Sequence, residues 1–463
     1  MRKRLAVKTK TLTYVIVAVA LVAILAAAAC LAGCGGSTTT TSAVAPTSTT
    51  VTAPASTTAP TGATTTASSA PASSSTSAAA AAQTLKVGWV GDLSNPLGLG
   101  DSKVLNAMAD FYNQSGGLDI GGQKYNVQFI MYDDKADAST ATAAVNRLIF
   151  QDKVKYILGD DNSDGWIPLA EANKVVTLVY SPSPAAIDPK LKYTFQTSFL
   201  NTQLATNWMW FIEKHADVKT VGGLFVDAVG GRNDVQQIQK IFGTLGVNLV
   251  DHAFFPADTQ DFGALATRIT KTNPQVYTSS GIGPIPIEMS WKGMTEAGYK
   301  GMLFSYRPVV PEVWASIAPL SLLEGQVFVL SDIDAARLQG IPMTGVLKDV
   351  YDNYVKKYGK WDFPSTDFSG SWFLLKTAME KAGSLDVDQI ATAISSGIAF
   401  ESPFGPGKMI KRPDMNNSRT VDAVYGTNFA TVENGKVKIL ESITGDQAMQ
   451  YLAKSGVYGN VAQ

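Results

Sequence analysis

Cysteine and histidine are almost missing from this chain. Among 463 residues there are two of each, with Cys30 and Cys34 close together near the N-terminus and His215 and His252 far downstream. Two neighbouring cysteines exclude a disulfide framework and a cysteine-based zinc site, and two histidines are too few for a histidine-rich metal centre. Charge is missing from a long stretch as well. After Arg2, Lys3, Arg4, Lys8 and Lys10 the next charged residue is Lys86. Over the whole chain 38 basic residues face 39 acidic ones, which leaves no basic footprint for nucleic acid. Set aside the N-terminal bases and the remainder is mildly acidic. Catalytic signatures are also wanting: no nucleophile elbow, P-loop or dinucleotide fingerprint occurs between a strand and a helix. The expectation is a non-enzyme without a cofactor or metal.

What is present begins with "LTYVIVAVALVAILAAAA", an uncharged apolar run behind the basic N-terminus. It is long for the core of an export signal and just long enough to span a bilayer, so an uncleaved anchor is the competing reading. The "LAGC" that follows, Leu31–Cys34, resembles the lipobox of bacterial lipoproteins: a leucine, two small residues, then a cysteine that accepts a diacylglycerol. "AAAC", ending at Cys30, fits less well because Ala27 stands where leucine is preferred. The expectation is a signal peptide over residues 1–33 and lipid attachment at Cys34. Residues 34–83 follow, after Cys34, as Ser, Thr, Ala, Pro and Gly with some Val, with no charge and no aromatic. Such a segment buries too little apolar area to offset its ordering entropy and reads as a disordered tether. As a coil it would span on the order of 40 Å.

From Leu85 the pattern changes to short apolar runs alternating with amphipathic stretches. "LKVGWVG" (85–91) reads as a strand. Val104, Ala107, Met108 and Phe111 lie at helical spacing within 101–117, which a glycine pair closes. Strands are expected at 125–134, 154–160 and 175–181, with helices at 137–152, capped by Asp137, and at 168–174. The alternation resumes with a helix before the strand 220–227 and continues to "GMLFSY" (301–306). Strands alternating with helices mean parallel sheets, and this many units call for two of them. Residues 342–395 read as mainly helical, and 421–440 as strands with an "ENGK" hairpin turn.

"VGDLSNPLGLGD", "NQSGGLDIGGQKYNVQFIMYDD", "GDDNSDGWIPLAE", "SPSPAAIDP", "TQDFGALATRITKTNPQVYTSSG" and "EAGYKG" together resemble the branched-chain amino-acid type of bacterial solute-binding proteins. The resemblance covers 84–463. It implies an α/β chain with the type I periplasmic-binding fold: two parallel-sheet lobes joined by a three-strand hinge, closing on a small-molecule ligand. By that likeness the first lobe is 84–198 plus 332–400, and the second is 199–331 plus 401–463. The implied partners are an ABC permease and, through the lipid, the outer face of the cell membrane. A receptor of the same fold that reports to a membrane signalling partner is the alternative.

In open α/β sheets ligands bind beyond the carboxyl ends of the strands. The family holds a ligand carboxylate through a serine and backbone N–H groups; Ser163 matches that serine, with Asp164 and Trp166 beside it. In the loop "YSPSPAA" (180–186), Ala185 stands where the family offers a threonine hydroxyl, and Ser181 or Ser183 would replace it. Asp227 ends a second-lobe strand. Arg307 aligns with a family glutamate that pairs with a ligand ammonium. An arginine suits a carboxylate or another acceptor-rich group instead, with Tyr306 the alternative if the alignment shifts by one. The implied ligand is a small polar or carboxylate-bearing metabolite: an amino acid, an amide or an organic acid.

Overall fold

The structure is a computed structural model, and it describes residues 83–461 apart from 161, 182, 198–200, 282, 363, 365, 367, 413–419 and 460. The expected signal peptide, Cys34 and almost all of the expected tether lie outside the described residues.

The first lobe begins with β1 (Gln83–Gly91), α1 (Pro96–Gln114), β2 (Leu118–Ile120), β3 (Gln123–Asp133), α2 (Ala138–Phe150) and β4 (Tyr156–Gly159). It continues with α3 (Ile167–Ala172), β5 (Val176–Val179) and β6 (Thr194–Gln196). These strands form one sheet in the order β2-β3-β1-β4-β5-β6, parallel except for the edge strand β2. β1 is central and buried on both faces along most of its length, which explains why "KVGWVG" reads as a nearly continuous apolar run. α1 starts at Pro96 rather than at 101. Asn95 accepts the Leu97 N–H at 2.8 Å and the proline supplies a pre-formed first turn. The polar, glycine-rich stretch 98–102 hides this first turn from a periodicity argument.

The second lobe contains α4 (Asn201–Lys214), β7 (Thr220–Val226), α5 (Val229–Leu245), β8 (Asn248–Phe255), α6 (Gly263–Thr272) and β9 (Val276–Ser280). α7 (Pro284–Glu296), β10 (Met302–Pro308), α8 (Pro311–Ile317) and β11 (Val327–Leu330) follow. Next come α9 (Asp332–Gln339), α10 (Gly345–Tyr358), α11 (Gly370–Ala382) and α12 (Val387–Ser395). α10, α11 and α12 pack Val350, Tyr354, Trp372, Leu374 and Ile390 into the core of the first sheet. The chain ends with β12 (Ala399–Phe400), β13 (Gly407–Lys411), β14 (Thr420–Tyr425), β15 (Thr427–Glu433), β16 (Lys436–Ile443) and α13 (Gly445–Ser455). The second sheet runs β16-β15-β11-β10-β9-β7-β8, with β15 and β16 antiparallel additions. Asn434 and Gly435, both at positive φ, make the expected hairpin turn.

The chain passes between the lobes after β6, after β11 and through the small antiparallel sheet β12-β13-β14. Met409, Ala423 and Tyr425 of that sheet belong to the first lobe's core. Ile410 and Val424, their immediate neighbours, belong to the second lobe's. Tyr425 Oη donates to the Thr197 carbonyl at 2.9 Å and its backbone N–H donates to Gln203 at 3.0 Å.

A cleft cavity as the candidate binding site

The carboxyl ends of both sheets face one cavity of about 500 Å³. Its first-lobe wall starts with the loop after β1, where three strand ends are tied together. Ser94 donates from N and Oγ to Asp92 Oδ1 at 2.9 and 2.6 Å. The Asp92 N–H donates to Asp160 Oδ2 at 3.0 Å, and the Leu93 N–H donates to Asp133 Oδ1 at 3.1 Å. Gly98 is needed here, because a Cβ would stand 2.3 Å from the Asp92 carbonyl oxygen. Asn162 donates to Asp134 at 3.2 Å. Burial pushes the Asp134 carboxyl up, and the charge of Asp92 adds to that push. Tyr180 and Phe368 complete this side, their rings nearly perpendicular with centroids 3.8 Å apart.

The second-lobe wall is apolar except for Arg307. Val226 ends β7, Ala228 and Val229 begin α5, Ile285 and Ile287 come from α7, and Val310 and Val313 from the start of α8. Gly231 lets α5 pack on the end of β7, since a Cβ there would stand 2.1 Å from the Val226 carbonyl oxygen. Leu97 reaches across from the first lobe, 3.9 Å from where a Cβ on Gly283 would be. The rims of the two lobes therefore touch.

Arg307 is in this wall, and its guanidinium is engaged. Nη2 donates to Asp234 Oδ2 at 2.7 Å, and the Tyr306 hydroxyl donates to the same oxygen at 2.7 Å. Asp234 is fully buried. The charge that would receive a ligand carboxylate is thus already matched by a protein carboxylate. Tyr306 lies in the second-lobe core and does not line the cavity.

The other expected residues are placed differently. Asp227 is exposed and pairs with Arg232 at 2.5 Å, while its neighbours Val226 and Ala228 line the cavity. Ser163 is fully buried behind Asn162. Its carbonyl accepts the Trp166 and Ile167 N–H groups, both at 3.1 Å, and its hydroxyl has no partner among the described residues. Asp164 is exposed and accepts from Ser183 Oγ at 2.7 Å. Ser183 also accepts the Ala185 N–H at 3.1 Å, and Ser181 Oγ accepts the Ser183 N–H at 3.2 Å. These three residues knit the loop rather than line the cavity. Trp166, expected at the cleft, is instead packed with Val90, Val145 and Ile157 in the core beneath α2 and α3. A Cβ on Gly159 would meet its ring at 2.5 Å, so the indole fills the space that glycine leaves.

Leu97, Phe368 and the α7–α8 apolar residues were not singled out by sequence. The strand-end rule points to Asp92. Nothing in the sequence points to Phe368, which sits in a loop between helices, remote along the chain from the strand ends it joins. Among the described residues no group of three or more His, Cys, Asp or Glu side chains is disposed to hold a metal ion.

A family model described as "Periplasmic binding protein" matches residues 84–432. An amino acid binding protein of Pseudomonas aeruginosa is 25% identical over 195 residues, which is 40% of this chain and 51% of that protein. The chain therefore matches about half the length of this curated relative. A leucine binding protein from Thermotoga maritima superposes with a TM-score of 0.61 at 21% identity, covering 78% of this chain and 99% of that one. The solute binding protein of an ABC transporter from R. palustris, in complex with benzoate, gives 0.58 at 20% identity, covering 78% and 96%. The structural likenesses show the same fold.

Proposed function

The chain belongs to the periplasmic binding protein family, and from that premise we propose that it is an extracytoplasmic solute-binding protein serving an ABC importer. It captures a small polar metabolite between its lobes and presents the closed form to a membrane permease. The observation that carries this reading is the cavity itself. Its size suits a compact metabolite, and both lobes supply its walls. A ligand bridging the apolar second-lobe wall and the acidic first-lobe rim stabilises the closed arrangement by its contacts with both. The relatives named above as binding an amino acid, leucine and benzoate support a small organic ligand. Cys34 carries the lipid, and the Ser/Thr-rich tether holds the receptor off the outer face of the membrane.

A thermal-shift screen against amino acids, amides, amines and aliphatic and aromatic carboxylates tests the binding role. A ligand at one hundred times its Kd adds about 2.7 kcal/mol to the folded state and raises the melting midpoint. No shift with any class, in protein shown to be folded, would remove the solute-binding reading. Metabolic labelling with a fatty-acid analogue tests the anchor: label is lost in Cys34→Ala, and label retained there sinks this assignment.

A further inference from the structure

Beside the main cavity lies a recess of about 10 Å³, room for a single water-sized group. It shares Asp160, Tyr180 and Phe368 with the cavity. Trp89 and Asp101 line the recess but not the main cavity. Asp101 is 4% exposed and accepts the Trp89 indole N–H at 2.7 Å. Two carboxylates and three aromatic rings thus surround one small space. Among the described residues no lysine, arginine or histidine lines it. The single guanidinium of the main cavity, on Arg307, is held by buried Asp234.

We infer that this recess receives a protonated amine, and that the cleft selects a compact ligand with an ammonium head and an apolar body. The inference rests on the solute-binding reading above and narrows it. An ammonium is close to water in size, donates to carboxylates and is attracted to aromatic faces. A carboxylate placed there would meet the negative charge of Asp101 and Asp160. It would gain little at Arg307, which already has an anion. The ligand's apolar body then lies along Val226, Ile287 and Val310.

Isothermal titration of the intact protein with isopentylamine, isovalerate, isopentanol and leucine decides the question. The first three share a carbon skeleton and differ in the polar head. The amine is expected to bind at least about tenfold more tightly than isovalerate and isopentanol. Asp101→Asn is expected to weaken amine binding by about tenfold or more, with an unchanged circular dichroism spectrum. Should that variant fail to fold, Asp160→Asn carries the same expectation, and should neither fold, the head-group preference decides alone. Tighter binding of isovalerate or isopentanol than of the amine overturns the inference and leaves the solute-binding reading standing. So does an amine affinity that folded variants retain. Absence of binding by all four probes also overturns the inference, and the solute-binding reading then stands or falls on the broader thermal-shift screen.

Discussion

Glu288 lies one residue past Ile287 of the cavity wall, fully buried, with neither carboxylate oxygen in a completed hydrogen bond among the described residues. Burial pushes its carboxyl from an ordinary 4.5 up to about 8, against a smaller opposing pull from the nearby Val310 N–H. Below pH 4.5 the group is protonated in folded and unfolded chains alike, so titration costs nothing. As pH rises from 4.5 towards 8, only the unfolded chain releases its proton, and stability falls. At about 1.36 kcal/mol per pH unit the full loss is roughly 5 kcal/mol, of which roughly 3 kcal/mol is already present at pH 7. Glu288→Gln keeps the shape and cannot ionise. The variant should match the parent near pH 4, exceed it by about 3 kcal/mol at pH 7, and exceed it by about 5 kcal/mol at pH 8.5. Urea denaturation at the three pH values, with slopes compared to confirm a common unfolding transition, measures this directly. A difference between variant and parent that does not change with pH would refute the reasoning.

Three further outcomes are expected. Arg307→Met leaves buried Asp234 without its cation and should cost about 3–5 kcal/mol in denaturant, while the double variant with Asp234→Asn recovers most of it; equal losses would mean that the pair is not electrostatically coupled. Gly231→Ala drives a methyl into the Val226 carbonyl and should destabilise by about 1–3 kcal/mol, visible as a lower melting midpoint, whereas an unshifted midpoint would show that α5 can slide away. Tyr425→Phe removes the hydroxyl that satisfies the Thr197 carbonyl and should cost about 1–2 kcal/mol in the same assay, and a neutral result would show that solvent reaches that carbonyl.

Architecture was more legible in the sequence than the site was. Central strands such as β1 and β7 announce themselves because burial on both faces demands unbroken apolar runs. Hydrogen-bonded caps such as Asp137 mark helix starts, and the Asn-Gly turn marks the last hairpin. Strands of two to five residues, β2, β12 and β13, are too short to show a period. The strand-end rule led to the right region of the chain but not to the right side chains. Alternate residues at a strand end face opposite ways, so Asp227 points to solvent while Val226 and Ala228 line the cavity. Ser181 and Ser183 were equally plausible as ligand donors by type. Their hydroxyls turned out to serve the loop, a choice made by partners that are distant or local and invisible to composition. Arg307 was found by alignment, but its meaning depends on Asp234, which comes from another element and carries no sequence mark linking the two.

The ribbon β13–β14 has a consequence for how such a chain can be recombined. Its successive side chains alternate between two cores: Met409 and Ala423 enter one, Ile410 and Val424 the other. A slip of one residue would send each set into the wrong lobe. Neither lobe is therefore a self-contained module that could be cut out at a linker and exchanged with a relative's. A functional chimera has to carry the whole ribbon with both of its faces matched. Ligand preference in this chain should accordingly change by substitution along the cleft walls, while the two halves are inherited as one piece.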